Sequence, residues 1–469
     1  MHPSADKPPA CVILAAGQGT RMKSSLPKPL HRVCGRTMLD HVLGTVAQVG
    51  AELTVVVVGV GAEQLVAAIG DRASTCEQAE QLGTGHAVMC AGAALEDFSG
   101  DVLVTYADVP LVTAETLSRL LAHHREAGAA ATVLTAIVDD PLRYGRIVRD
   151  ASGRFLAIVE HNDATAEQRA ICEINTGICV FEASALQDAL ARIGNDNAKG
   201  EYYLTDAFGV LVAGGRMVEA IAIGDPDEAM GVNTRVELAA AERIARDRVR
   251  ERLMLEGVTL IDPASTFIDA DVSVGGDTVI GPGCQLLGQT TVGQGCEIRG
   301  YVVLRDAVVG DRVLLRDHTV VDTGTVGDET QLGPFALVRG GSVVERGCKL
   351  GSSAEINRTR LGEGTKMQHF SYLGDATVGR NCNIGAGVIT CNYDGHDKHP
   401  TVLEDDVFVG SDSILIAPVT VGAGAFTAAG SVITHDVPAG ALGVARAKQT
   451  DLEGWAVKRR KQWEGRDRR

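Results

Sequence analysis

Between Val274 and Ile433 an apolar residue returns at every sixth position, and this beat limits the folds open to the chain more than any other feature. Val274, Ile280, Leu286, Val292 and Ile298 form one series; Val326, Leu332, Val338, Val344, Leu350 and Ile356 form another. Leu361, Met367 and Leu373 follow, then Val378 and Ile384, and later Val409, Leu415, Val421, Thr427 and Ile433. A helix repeats near about 3.6 and a strand at about 2, so neither produces six. A coil of short flat strands does, because each side of the turn points one aliphatic residue inward while a small residue rounds the corner. Glycine often follows the apolar position, as in "VGQGCE", "LGPFAL" and "IGAGVI". Such a solenoid buries a continuous column and no single turn is stable alone. The beat stops at "CNYDGHDKHPTVLEDD", which is expected to project as a loop, the kind of segment that carries function on a rigid scaffold.

The first half has another rhythm. From Cys11 to about Ile223, runs such as "CVILAA", "LTVVVV", "DVLVTYAD", "ATVLTAIV" and "INTGICVF" alternate with helical patterns such as "TMLDHVLGTVAQV" and "ETLSRLLAHHREAG". Near-continuous apolar strands are buried on both faces, which predicts an α/β domain with a mostly parallel sheet covered by helices. "NTRVELAAAERIARDRVRERLMLEG" has few breakers and predicts a long connecting helix ending at Gly257. The expected division is 1–232, a linker helix over 233–256, the solenoid over 257–445 and a C-terminal tail over 446–469.

With 469 residues the chain is too long for one core. Its net charge of −16 argues against a protein that coats nucleic acid, which needs a basic face. "MHPSADKPPA" has no apolar stretch of the secretory kind, and no run approaches the roughly 18 residues of a membrane helix, so a soluble cytoplasmic protein is expected. Eleven cysteines without a C-x-x-C pair indicate neither a zinc site nor a disulfide framework.

"ILAAGQGTRM", residues 13 to 22, ends a predicted strand in two glycines and an arginine. It lacks the G-K-[ST] of a P-loop, and Met22 stands where a dinucleotide fingerprint needs glycine. The backbone N–H groups of Gly17 to Thr20 remain able to cradle phosphate oxygens, with Arg21 and Lys28 supplying positive charge. Read alone, the glycines also fit a plain strand-to-helix turn, and Asp108 after "VLVTYA" fits a helix cap as well as a metal ligand at a strand end.

Taken together, "GQGTRM", "LPKPL", "QAEQLGTGHA", "YADVPL" and "GVNTR" resemble the sugar-nucleotide pyrophosphorylases. With "EYYLTD" at 201–206 and the hexapeptide beat, the chain from about residue 10 to about 457 resembles a bacterial bifunctional family. That family joins N-acetylglucosamine-1-phosphate uridylyltransferase to glucosamine-1-phosphate acetyltransferase in UDP-N-acetylglucosamine synthesis. The resemblance implies a nucleotidyltransferase domain followed by a left-handed parallel β-helix. It puts Arg21 and Lys28 on the phosphates of UTP, and Mg²⁺ on Asp108 and Asn233. Leu14, Ala15, Ala16 and Gly17 would line the nucleotide, and Gln78, Gly83 and Thr84 would contact uracil. Tyr106, Ala107, Gly145, Glu160 and Asn175 would face N-acetylglucosamine 1-phosphate.

For the second half the resemblance implies acetyl transfer from acetyl-CoA to glucosamine 1-phosphate, with His369 in "MQHFSYLGD" as the base that takes the proton of the attacking amine. Arg339, Glu355, Asn357, Tyr372 and Asn383 would surround the sugar phosphate. Ala386, Asn392, Tyr393, Ser411, Ala429 and Arg446 would line the acetyl-CoA. A homotrimer is implied too, with sites at clefts between solenoids.

The chain departs from the family pattern at three places. Ala107 replaces a glycine, a single methyl that should be tolerated although it would tighten the sugar pocket. Asn357 replaces a lysine on the sugar phosphate, with Arg358 or Arg360 placed to compensate, and Gly340 follows Arg339 where proline is usual. The basic tail "VKRRKQWEGRDRR" reads as a solvated end, or as a contact with coenzyme A phosphates. Other readings also stay open: a uridylyltransferase whose solenoid only assembles the protein or serves another acyl acceptor, a transferase for another sugar or nucleotide, and a non-catalytic regulatory subunit.

Overall fold

A computed structural model describes residues 7–197 and 199–464. The chain forms two compact units, Met1–Val249 and Arg250–Arg469.

The first unit is built on a nine-stranded sheet. In chain order its strands are β1 (Ala10–Leu14), β2 (Leu53–Val58), β3 (Ser74–Glu77), β4 (Asp101–Tyr106), β5 (Ala131–Ile137), β6 (Arg146–Arg149), β7 (Phe155–Val159), β8 (Glu173–Glu182) and β9 (Val218–Ala222). Across the sheet the order is β9-β5-β8-β4-β1-β2-β3, with the β6–β7 hairpin joined to β8. β1 lies between two parallel neighbours, Leu14 being opposite Val57 and Tyr106, and all five of its residues are buried. Its side chains alternate between two cores: Ala10, Val12 and Leu14 pack with Phe181 and Phe208, while Cys11 and Ile13 pack with Leu39 and Leu117 on the opposite face.

The expectation of a mostly parallel sheet holds for β1 to β5 and β9, whereas β8 runs antiparallel to β4 and β5. β3, β6 and β9 were not legible, because they are short or half-exposed and mix polar with apolar residues, and the apolar run of β7, only partly buried, was passed over. The helices follow their capping chemistry. Thr37 and Asp40 form a reciprocal capping box at the start of Met38–Val49, and Gly50 ends that helix at φ +77. The long helix is Arg235–Leu255, and the division between the units falls within it.

The second unit is a three-sided left-handed parallel β-helix with sheets of 11, 10 and 9 strands. One inward column runs Ile280, Ile298, Leu315, Leu332, Leu350, Met367, Ile384 and Val409. A second runs Leu286, Leu304, Val321, Val338, Ile356 and Leu373, and a third Val292, Val309, Val326, Val344, Leu361 and Val378. All are buried. Ile384 and its partner Val409 are 25 positions apart, against 17 for Met367 and Ile384, so the interrupting segment is extruded as an excursion between Cys391 and Thr401.

Of the tail, Trp455–Glu464 is an exposed helix rather than unstructured chain. The end of the basic stretch, residues 465–469, lies outside the described residues.

Candidate functional site

The first site starts where β1 ends. Beyond Leu14 the chain passes through buried Ala15 and Ala16 to Gly17, Gln18, Gly19 and Thr20, whose amides donate to no protein acceptor among the described residues. A run of free N–H groups suits an anion. Gly19 sits at φ +60, and a methyl there would come within 2.8 Å of Lys28 Cβ, so glycine serves both the turn and the approach of the lysine. The loop leads into a single tight turn, Thr20–Met22, rather than into an α-helix.

Four polar side chains converge beside this loop. Lys28 Nζ pairs with Asp108 Oδ2 and donates to Asn233 Oδ1 at 3.1 Å, and Arg21 Nη2 donates to the same oxygen at 3.0 Å. Asp108 lies just past β4, and its carbonyl accepts from Val232 N at 2.8 Å, which brings the segment 231–233 to the strand end. Asn233 is then fixed by the start of the long helix: Glu237 Oε2 accepts from Asn233 N at 2.7 Å and Thr234 N at 2.8 Å, while Thr234 Oγ1 caps Glu237 N at 3.2 Å. Arg235 reaches Met22 O at 3.3 Å and His31 Nδ1 at 3.2 Å. "GVNTR" is thus a helix start tied to the glycine loop.

A cavity of about 300 Å³ opens here, lined among others by Leu14, Ala15, Ala16, Gly17, Lys28, Gln78, Gly83, Thr84, Tyr106, Ala107 and Asp108. Residues 82–85 are held by backbone bonds to Tyr202, and Leu204 N donates to Thr84 Oγ1 at 3.1 Å, so "EYYLTD" backs this wall. Pro29, Gln81, Ala87 and Glu201 also line the cavity, and sequence reasoning missed them although "LPKPL", "QAEQLGTGHA" and "EYYLTD" contain them.

Gly145, Glu160 and Asn175 come together next to Tyr106. Asn175 N donates to Gly145 O at 2.9 Å, and a methyl on Gly145 would lie 3.5 Å from both Asn175 Cβ and Glu160 Oε1. Thr205 Oγ1 donates to Glu160 Oε1 at 3.2 Å, while burial pushes the Glu160 carboxyl above the usual range. Asn175 Oδ1 accepts from Gly177 N at 2.9 Å, in the irregular stretch of β8. A methyl on Gly177 would meet the Tyr106 ring at 2.5 Å, so glycine there makes room for the ring. Burial also raises the Tyr106 phenol. Ala107 is 1% exposed, belongs to the core cluster of Ile13, Ala15 and Val109, and also lines the cavity.

In the β-helix the residues fall into two groups. Arg339, Asn357 and Gly374 are neighbours in register, as are Glu355 and Tyr372. Arg339 pairs with Glu355 Oε1 at 3.0 Å and 2.7 Å. A methyl on Gly374 would lie 2.4 Å from Tyr372 Oη and 2.7 Å from Asn392 Nδ2, so this glycine is the floor on which those two side chains meet. Asn392 donates to Asp375 Oδ2, which also receives Arg358 Nη2 at 2.9 Å. That guanidinium holds the Asp375 carboxyl below its ordinary range. Arg358 pairs with Asp375 and also donates from Nη1 to Asn357 Oδ1 at 3.2 Å, while Arg360 pairs with Glu345. Asp375 and Gly374, missed from sequence, organise this group.

The second group follows one corner of the prism. Gly387 N donates to Phe370 O at 2.7 Å, Asp412 N to Ala386 O at 2.7 Å and Gly430 N to Ser411 O at 2.8 Å, which stacks the turns holding His369, Ala386, Ser411 and Ala429. His369 is exposed and has no hydrogen-bond partner among the described residues. Asn383 lies on the adjacent sheet, paired in register with Lys366 and Phe408. Tyr393 is exposed in the excursion with its hydroxyl on Gly395 O at 2.7 Å, and Arg446 is exposed beyond the last strand.

Fold and first site together define a nucleotidyltransferase unit continued by a hexapeptide β-helix, and residues 11–173 match the MobA-like NTP transferase domain. Proteins described as Bifunctional protein GlmU align along nearly all of the chain. That of Trichlorobacter lovleyi is 50% identical over 453 residues, covering 96% of this chain and 98% of its own. That of a Geobacillus species is 48% identical, with 95% and 96% covered, and that of Streptomyces avermitilis 48% identical, with 97% and 96% covered. The chain belongs to the family of bifunctional GlmU proteins.

Proposed function

We propose that the enzyme acetylates glucosamine 1-phosphate with acetyl-CoA in its β-helix unit, and couples N-acetylglucosamine 1-phosphate to UTP in its first unit, releasing pyrophosphate and UDP-N-acetylglucosamine. The observation that carries this reading is the convergence of Arg21, Lys28, Asp108 and Asn233 beside a cavity bordered by a loop of free amides.

Uridylyl transfer brings a sugar phosphate oxygen to the α-phosphorus of UTP, so two polyanions must meet in line, and neutralisation with alignment limits the rate. The glycine loop, Arg21 and Lys28 hold the triphosphate. Gln78, Gly83 and Thr84 take the base, while Gly145, Glu160 and Asn175 beside Tyr106 take the sugar. Asp108 Oδ2 and Asn233 Oδ1 both face the Lys28 ammonium, so two oxygens already converge on one cation. This donor pair fits Mg²⁺, which takes the rest of its shell from phosphates and water, and when bound the ion adds charge neutralisation at the leaving pyrophosphate.

In the β-helix His369 takes the proton of the attacking amine, and Arg339, Glu355, Asn357, Tyr372 and Asn383 hold the sugar phosphate. Ala386, Ser411, Ala429 and Arg446, with Asn392 and Tyr393 of the excursion, take the acetyl-CoA. The exposed position of His369 on a corner supports a homotrimer in which a neighbouring copy completes the cleft. No helix among the described residues is long and apolar enough to cross a membrane, and a cytoplasmic location is proposed from the substrates.

The test is one incubation with glucosamine 1-phosphate, acetyl-CoA, UTP and Mg²⁺, followed by product identification. UDP-N-acetylglucosamine, pyrophosphate and coenzyme A are expected. Nucleotide-sugar formed only when N-acetylglucosamine 1-phosphate is supplied would favour the second reading, in which the β-helix does not acetylate this sugar; Asn357 in place of lysine is the observation on its side.

A further inference from the structure

Gln78 lines the first cavity and is 3% exposed. Its Nε2 lies 3.0 Å from Gly83 O and 3.1 Å from His86 Nδ1. A side-chain amide nitrogen carries two hydrogens and no lone pair for hydrogen bonding. Gly83 O can only accept, so the nitrogen end of the amide must face it. The second hydrogen then goes to His86 Nδ1, which requires the imidazole proton on Nε2; that atom faces Cys90 Sγ at 4.0 Å. Both acceptors are fixed by backbone. His86 stands on the helix Thr84–Cys90, and Gly83 is held between two backbone bonds, Tyr202 N to Leu82 O and Gly85 N to Tyr202 O, each at 2.8 Å. Gln78 itself is anchored by its N–H on Val58 O at 2.8 Å. The one polar side-chain atom left to meet a ligand is Oε1, an acceptor.

We propose that His86 is a positioning residue which, by accepting the second amide hydrogen of Gln78, prevents that amide from turning over, and so makes the site select a base with a ring N–H at its pairing edge. Uracil offers N3–H to Oε1, whereas cytosine presents the lone pair of N3 and is repelled. A site built to satisfy one hydrogen-bonding edge rejects its complement because a buried polar atom is left unpaired. Without His86 only the bond to Gly83 O holds the amide, so turning it over costs one hydrogen bond fewer and the turned form, which presents its nitrogen to the base, gains population. This rests on the reading of the cavity as the UTP site.

The experiment compares UTP with CTP as uridylyl or cytidylyl donor, measuring kcat/KM for each in the full-length protein and in His86→Phe and His86→Asn. Phe keeps a ring and removes the acceptor; Asn places an oxygen where Nδ1 stands. The UTP-over-CTP ratio is expected to fall by about tenfold in His86→Phe, the worth of one neutral hydrogen bond, and to return in His86→Asn. An unchanged ratio in His86→Phe, or an equal loss in both variants, overturns the proposal. A purely structural role would lower both donors together and leave the ratio alone. In the unmodified protein both Gln78 side-chain amide hydrogens are expected to exchange slowly by nuclear magnetic resonance, and rapid exchange overturns the proposal even where a variant does not fold. If the unmodified protein transfers nothing from UTP, it is the reading of the cavity that fails; if it prefers UTP and the ratio is insensitive to His86, only this inference does.

Discussion

Tyr106 and Gly177 show how single residues set the first site. The ring occupies the space a side chain at 177 would need, and φ at Gly177 is +85, so Gly177→Ala combines a clash with backbone strain. It should displace Tyr106 and lower uridylyl transfer, with a stability loss of about 1–3 kcal/mol by chemical denaturation, while acetyl transfer persists. In the β-helix, Arg358 depresses the Asp375 carboxyl and Asp375 in turn holds Asn392. A depressed carboxyl stabilises the fold above its unfolded value, about 3.9, and loses that contribution as pH falls through the lowered value. Hydrogen-exchange protection across residues 392–400 should therefore persist at pH 5 and fade below about pH 4, whereas Asp375→Asn should lower it already at pH 7. Protection at pH 7 unaffected by that change would remove the assigned role. Arg21, Lys28, Asp108 and Asn233 were legible because motifs name them. Arg235, Glu237, Asp375 and His86 were not, since their work is to hold other residues, and only contacts between distant segments reveal it.

At the scale of elements, the beat of six was legible because an inward residue ends each flat side, yet it breaks after Leu304, Val321, Ile356 and Leu373. The register explains this. Leu304 and Val309 are five positions apart, as are Val321 and Val326, Ile356 and Leu361, and Leu373 and Val378, so one side of many coils is a residue shorter. The tight corners fall at Asp306, Thr323, Arg358 and Asp375, each at positive φ. The residue at positive φ is not glycine at any of the four, and the shorter side is what interrupts the spacing. The stacked columns also predict where damage is worst: Leu332→Ala, at a fully buried position, should cost about 2–5 kcal/mol, read from the denaturant midpoint. A cost under about 1 kcal/mol would mean the coil collapses around the gap. In the first unit the central strands were legible from apolar runs, whereas the hairpin of β6 and β7 was not, because β6 is a four-residue strand with an arginine at each end and β7 is only partly buried.

For the whole molecule, the two sets of residues belong to separate units, so their activities should separate by mutation. Asp108→Ala is expected to abolish uridylyl transfer and leave acetyl transfer, and His369→Ala to do the reverse. Mixing the two purified variants should restore UDP-N-acetylglucosamine from glucosamine 1-phosphate, since the acetylated sugar phosphate can leave one protein and enter the other. No product from the mixture, with each variant active in its own half-reaction, would contradict independent sites. Light scattering at micromolar concentration should report three chains.

The excursion between Cys391 and Thr401 has a consequence for how such a protein changes over time. Because Ile384 still meets Val409 in register, eight additional residues were absorbed outside the stack without disturbing the aliphatic interior. Length can thus be gained or lost at a corner with no need to rebuild the layers on either side, so a new choice of acyl donor is open to this scaffold through insertions alone.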